Sequence, residues 1–292
     1  PEEKIKFLVN FGKDAPGEWG DDDHSNVFFI ALPTDHDKPF YVRIYDPDTG
    51  GAHDEAKGEF NTSTRFSVYG GNGAFTHPDA RSTDPKGNYL SGNVIHTKRF
   101  AGDAKYDDKW YSLGPIHPQE GERCEVNGQG KIVFKLVAEG VLGDDGNLFN
   151  YYISSYPDRN MSVEGVETFT FEYTFRMQQG LSHIYPFVDE SVLRVRQHNY
   201  DFDGDGYLRI VSVAKKSEMA TMSTDGEWGI SVHEIQDEER GMCLDFQVVS
   251  LVQRRNNNVV FSIFNQYGEA LPFMNAPIGI ENIRNKIRTL KK

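Results

Sequence analysis

Short runs rich in Val, Ile, Phe and Tyr recur along most of the chain, bounded by clusters of Gly, Asn, Asp or Pro. Several of them alternate apolar with polar residues. Side chains on a strand point to opposite faces in turn, so a period of two demands sheets with one buried face. Tyr41-Val42-Arg43-Ile44-Tyr45 and Val192-Leu193-Arg194-Val195-Arg196 show the alternation. Lys131–Val137, Leu148–Ser154, Glu167–Arg176, Leu208–Val213, Phe246–Val252 and Val259–Phe264 are further β-rich runs. Only Ile280–Leu290 reads as a helix, with Ile280, Ile283, Ile287 and Leu290 at three- and four-residue steps. The pattern predicts an all-β protein of jelly-roll or immunoglobulin-like sandwiches, closed by a short C-terminal helix or linker over 280–292.

A chain of 292 residues has room for two domains of about 150. An internal repeat gives the same number. The strand ending at Tyr45 runs into Asp46-Pro-Asp48-Thr-Gly50-Gly51; the strand at 193–196 runs into Asn199-Tyr-Asp201-Phe-Asp203-Gly-Asp205-Gly206. Lys109-Trp110-Tyr111 is matched by Glu227-Trp228-Gly229, and two later strand–turn–strand stretches fall in the same order. The expectation is tandem sandwiches: 1–160 with a Gly-rich insertion at about 58–105, then 161–279, with the boundary near 156–165. Trp110 and Trp228 then read as the core Trp of each sandwich. Cys124 and Cys243 are too few for a disulfide framework and read as free thiols.

The strongest motif is Asp201-Phe-Asp203-Gly-Asp205-Gly206-Tyr207. Carboxylates at alternate positions, with glycines for a tight turn, aim oxygens at one point, as a hard cation requires. Asp-Phe-Asp-Gly-Asp-Gly-Tyr-Leu resembles the calcium loops of FG-GAP repeats and, more loosely, those of dockerins. The resemblance covers about ten residues. It implies Ca²⁺ held by Asp201, Asp203 and Asp205 through their side chains and by the Tyr207 carbonyl. Arg209 and Ser212 depart from the pattern where further ligands are usual, leaving Asn199, Asp189 or Glu190 to complete the set. The loop after Tyr45 follows the same logic: Asp46, Asp48, Asp54 and Glu55 converge if Gly50-Gly51 reverses the chain, with Asp21-Asp22-Asp23-His24 approaching from another loop.

No histidine pair has the local spacing of a zinc site, and His233-Glu234 lacks the second His of a zincin motif. Nucleophile-elbow, P-loop and dinucleotide motifs are absent. Trp19, in a polar loop, is the candidate ring for stacking on a sugar. A net charge of −13 argues against nucleic acid and anionic lipid as partners. No stretch approaches the ~20 consecutive apolar residues of a membrane-inserted helix. The chain opens on Pro1 without Met, which reads as a trimmed, mature product. These features lead to a secreted, cell-surface or periplasmic binding or adhesion module stabilised by Ca²⁺, with a glycan or a cell-surface protein as ligand. A polysaccharide-acting jelly-roll hydrolase or lyase and a structural spacer are the alternatives.

Overall fold

The computed structural model describes residues 5–17, 24–253 and 256–279. The expected C-terminal helix over 280–292, Trp19 and Asp21–Asp23 lie outside the described residues. The protein is all-β, and its strands build antiparallel sheets packed as sandwiches. The chain divides into two compact units, the first covering Phe7–Thr168 and the second taking the chain from Phe169 on together with Ile5 and Lys6.

The first unit holds β1 (Leu8–Phe11), β2 (Ser25–Pro33), β3 (Phe40–Tyr45), β4 (Ser63–Gly70), β5 (Asn93–Phe100), β6 (Trp110–Ile116), β7 (Glu122–Val126), β8 (Gln129–Leu142) and β9 (Gly146–Ser154). One sheet runs β6-β3-β9-β1; the other runs β2-β8-β4-β5, with β7 added alongside β8. Their inner faces meet through aromatic rings, Phe40 on Phe134 with centroids 5.1 Å apart and Phe66 on Phe149 at 5.0 Å. Phe28, Phe40, Phe66, Phe134 and Phe149 are fully buried, each worth about 2–3 kcal/mol in apolar burial.

The second unit holds β10 (Glu167–Thr170, crossing the boundary), β11 (Glu172–Arg176), β12 (Gly180–Ile184), β13 (Phe187–Val188), β14 (Arg194–Tyr200), β15 (Gly206–Val211), β16 (Glu218–Ala220), β17 (Trp228–Glu234), β18 (Met242–Cys243), β19 (Asp245–Ser250), β20 (Asn258–Asn265) and β21 (Phe273–Met274). Its sheets run β17-β14-β20-β11 and β12-β19-β15-β16, with short pairs β10–β21 and β13–β18 beside them. Phe246 of β19 meets Phe261 of β20 across the sandwich at 5.6 Å.

Both units therefore share one connectivity. β1, β2, β3, β4, β5, β6, β8 and β9 correspond in order to β11, β12, β14, β15, β16, β17, β19 and β20. Apart from hairpin neighbours such as β4–β5 and β15–β16, strands successive in sequence alternate between the two sheets of a sandwich, which is the winding of a jelly roll. The repeat extends to single residues. Tyr45 pairs with Trp110 and Tyr200 pairs with Trp228, and the two ring pairs lie 5.3 and 5.1 Å apart.

The matched tryptophans are not core residues, contrary to the sequence expectation. Trp228 is 54% exposed and Trp110 half-buried, because both stand on the outer face of an edge strand. In the first unit that outer face is covered by the chain following β9. Ser112 donates to the Pro157 carbonyl, Arg43 donates to Asn160, and the Arg43 guanidinium lies 5.2 Å from the Trp110 ring centroid. Both cysteines are free thiols.

Candidate metal centre

The acidic loops leave equivalent strands. β3 ends at Tyr45 and β14 at Tyr200, and the next residue, Asp46 or Asp201, takes a left-handed backbone with φ of 54° or 60°. Aspartate tolerates that region better than most residues, and the bend turns the chain out of the sheet. The Asp46 N–H still donates to the Lys109 carbonyl, and the Asp201 N–H to that of Glu227. Each loop is thus clamped to the segment that enters the neighbouring edge strand.

That segment supplies a carboxylate that the local motif does not contain. In the first unit, oxygens of Asp46, Asp48 and Asp107 lie within 4.8 Å of one another. In the second, Asp201, Asp203 and Asp225 do the same. Asp107 and Asp225 each stand three residues before the matched tryptophan, which is the one signal in the sequence that would have found them. A further overlapping set, Asp46 with His53 and Asp108, flanks the first cluster.

In the first cluster Asp46 and Asp48 are 3% and 1% exposed. Asp46 accepts from the Asp108 N–H at 3.1 Å, and one Asp48 oxygen accepts from the Asp103 N–H at 3.0 Å. The other oxygen of Asp48, Oδ1, is buried and has no hydrogen-bond partner. Leaving such an atom dry costs about 1–3 kcal/mol, more when charged. Burial pushes both carboxyls up to about 6, with Asp107 adding repulsion at each. Tyr45 donates to Asp108 at 2.7 Å; that bond first, and burial second, push its phenol up to about 12. His53 contacts the same Asp108 oxygen at 2.9 Å.

Gly51 is required here. Its φ is +69°, and a Cβ would stand 3.1 Å from Asp107 Cγ. Gly51→Ala is expected to cost about 1 kcal/mol in urea unfolding and to displace Asp107. An unchanged midpoint would show that the loop adapts at no cost.

Asp54 and Glu55 do not join the cluster. Asp54 spends both oxygens on backbone, accepting from Gly50 N–H and Leu148 N–H at 2.7 Å each, and burial pushes it up to about 8. Glu55 is buried against Lys57 at 2.9 Å, and its backbone bridges Gly146. In the second unit Asn199 is fully buried; its amide donates to Gln197, Thr221 and Gly229, and its oxygen accepts from the Ser223 N–H. It braces the loop from behind. Asp205 sits in the turn outside the converging carboxylates, its carbonyl accepting from the Leu251 N–H. Tyr207 is a residue of β15 in register with Val249. Asp189 binds Ser191.

One arrangement has the outline of a hydrolase triad. The Ser231 hydroxyl lies 2.8 Å from His233 Nε2, and His233 Nδ1 contacts Glu218. Yet Ser231 Oγ also accepts from Gln197 Nε2 at 2.9 Å and from the Thr221 N–H at 3.1 Å. Both lone pairs are engaged, so none is directed at a substrate carbonyl as nucleophilic catalysis needs. The trio fastens β17 to β14 and to the segment after β16.

Comparison of the chain with protein families, curated proteins and solved structures finds no match. Fold and site together define a class, a tandem jelly roll with an acidic cluster at the same loop position of each unit.

Proposed function

We propose that the protein is a Ca²⁺-stabilised binding or adhesion module that works outside the cytosol, at a cell surface or in a periplasmic space. Its ligand is a glycan or a cell-surface protein. The carrying observation is Asp48, a carboxylate buried to 1% exposure, with one oxygen lacking any hydrogen-bond partner, beside Asp46 and Asp107. A cation satisfies that oxygen and cancels the repulsion among the three carboxylates. The oxygen-only donor set suits a hard ion, and backbone carbonyls and water complete the six to eight ligands Ca²⁺ takes. Asp201, Asp203 and Asp225 repeat the donor set in the second unit. Loops of this kind fill at the millimolar Ca²⁺ of extracellular fluids rather than in the cytosol.

Thermal unfolding in EDTA and in millimolar CaCl₂ tests the reading. Ca²⁺ at a hundredfold excess over Kd is expected to stabilise the wild type by about 2.7 kcal/mol. Asp48→Asn is expected to lose most of that gain. Equal unfolding of wild type in EDTA and CaCl₂ would refute the cation reading. Glycan-array binding that depends on Ca²⁺ then separates a sugar ligand from a protein one.

A further inference from the structure

We infer that β17 is a docking edge for a second copy of this chain, paired antiparallel with its own β17 about a two-fold axis. This pairing does not depend on a bound cation. β17 ends its sheet, and its even-numbered side chains face outward: Trp228 is 54%, Ile230 49% and Val232 53% exposed. Three large apolar residues in line on an edge strand form the arrangement that folded chains normally avoid.

Along the middle of the same edge the backbone is unpaired among the described residues, while at its end the Glu234 carbonyl accepts from Lys215 Nζ at 2.6 Å. The register with β14 sets Arg194 opposite Glu234 and Tyr200 opposite Trp228. Ile235 N–H donates to the Leu193 carbonyl and Asp201 N–H to the Glu227 carbonyl, so the odd-numbered residues of β17 turn their N–H and C=O toward β14. The even-numbered ones turn them outward. Those of Ile230 and Val232 make no hydrogen bond among the described residues. The equivalent edge in the first unit is protected. β6 carries Pro115, which has no N–H to offer, Ser112 stands where β17 has Ile230, and the chain after β9 lies over its outer face.

A second β17 fits this edge in register and in charge. With Ser231 on the two-fold axis, Ile230 of each copy faces Val232 of the other, and their free N–H and C=O groups meet in hydrogen-bonded pairs. The single charge on β17 is Glu234. In this register the two copies of Glu234 fall about 20 Å apart, beyond the ~8 Å Debye length at physiological salt. A pair of strands this short buries less than the ~1,200 Å² of a permanent interface, so the dimer is expected to be micromolar.

Sedimentation velocity of the full chain from about 1 to 200 µM reads the association. The wild type is expected to pass from monomer to dimer across that range. Val232→Lys and Ile230→Lys, at positions exposed in the monomer, are each expected to raise the dimer Kd at least about thirtyfold with unchanged melting temperature. Hydrogen exchange at high concentration is expected to slow at the Ile230 and Val232 amides. A chain that stays monomeric at 200 µM overturns the inference. So does a dimer that both lysine variants retain, or one that leaves those two amides unprotected.

Discussion

Without divalent cations, the protein is expected to lose stability as pH rises from about 4 to 8, and Ca²⁺ is expected to remove the part of that slope below about pH 6, leaving the part that Asp54 causes. Asp46 and Asp48 are raised from 3.8 to about 6 in the folded chain, and Asp54 to about 8, in each case chiefly by burial. The unfolded chain releases these protons near pH 4, whereas the native state keeps them to pH 6 or 8. Between those limits the native state binds more protons, so raising pH favours unfolding. A shift of about two units corresponds to on the order of 3 kcal/mol for each of Asp46 and Asp48. A cation bound to Asp46, Asp48 and Asp107 restores the ionised forms and reverses the argument for the first two. Urea unfolding at pH 5, 6, 7 and 8, in EDTA and in CaCl₂, gives both slopes. A flat profile in EDTA, or the same fall in both buffers, contradicts the expectation.

Asp145→Ala is expected to destabilise the protein by about 4 kcal/mol, a cost concentrated in the first unit. Asp145 is fully buried between β8 and β9 and accepts N–H groups from Lys57, Asn61 and Thr62 at 2.8–3.0 Å. Its own N–H donates to the Thr62 hydroxyl at 2.7 Å. Removal of the carboxylate strands three donors where water has little access, at about 1–3 kcal/mol each before relaxation. Asp145→Asn keeps one acceptor oxygen and is expected to recover about half of the loss. Chemical denaturation of the three proteins measures both; an alanine variant within 1 kcal/mol of wild type would show that segment 57–62 holds itself in place.

Much of the architecture was legible because strand periodicity and turn residues are local properties. Asp46 and Asp201 stand at matched positions, each one residue past its strand, and the sequence alone placed both at the start of an acidic loop. The third carboxylate of each cluster was not legible. Asp107 and Asp225 arrive from the chain before β6 and β17, and only strand pairing sets them opposite the loop. Asp54, Glu55 and Asn199 misled for a related reason. Their types suit a cation, but nearby backbone groups and Lys57 claimed them first. Trp110 and Trp228 show the same limit: matched spacing located them, but which face of an edge strand they occupy depends on the register of the pair.

The chain laid over β6 and β3 gives the two halves different freedom to change. Arg43, held to Asn160 and stacked on Trp110, must satisfy several neighbours at once, and most substitutions there break a polar contact with little water to replace it. Among the described residues, its counterpart His198 and the outer residues of β17 carry no such overlay, so new side chains can be tried on that surface while the sandwich beneath stays folded. Within one polypeptide, a doubled scaffold thus holds a half with settled chemistry beside a half on which new specificity can be tried.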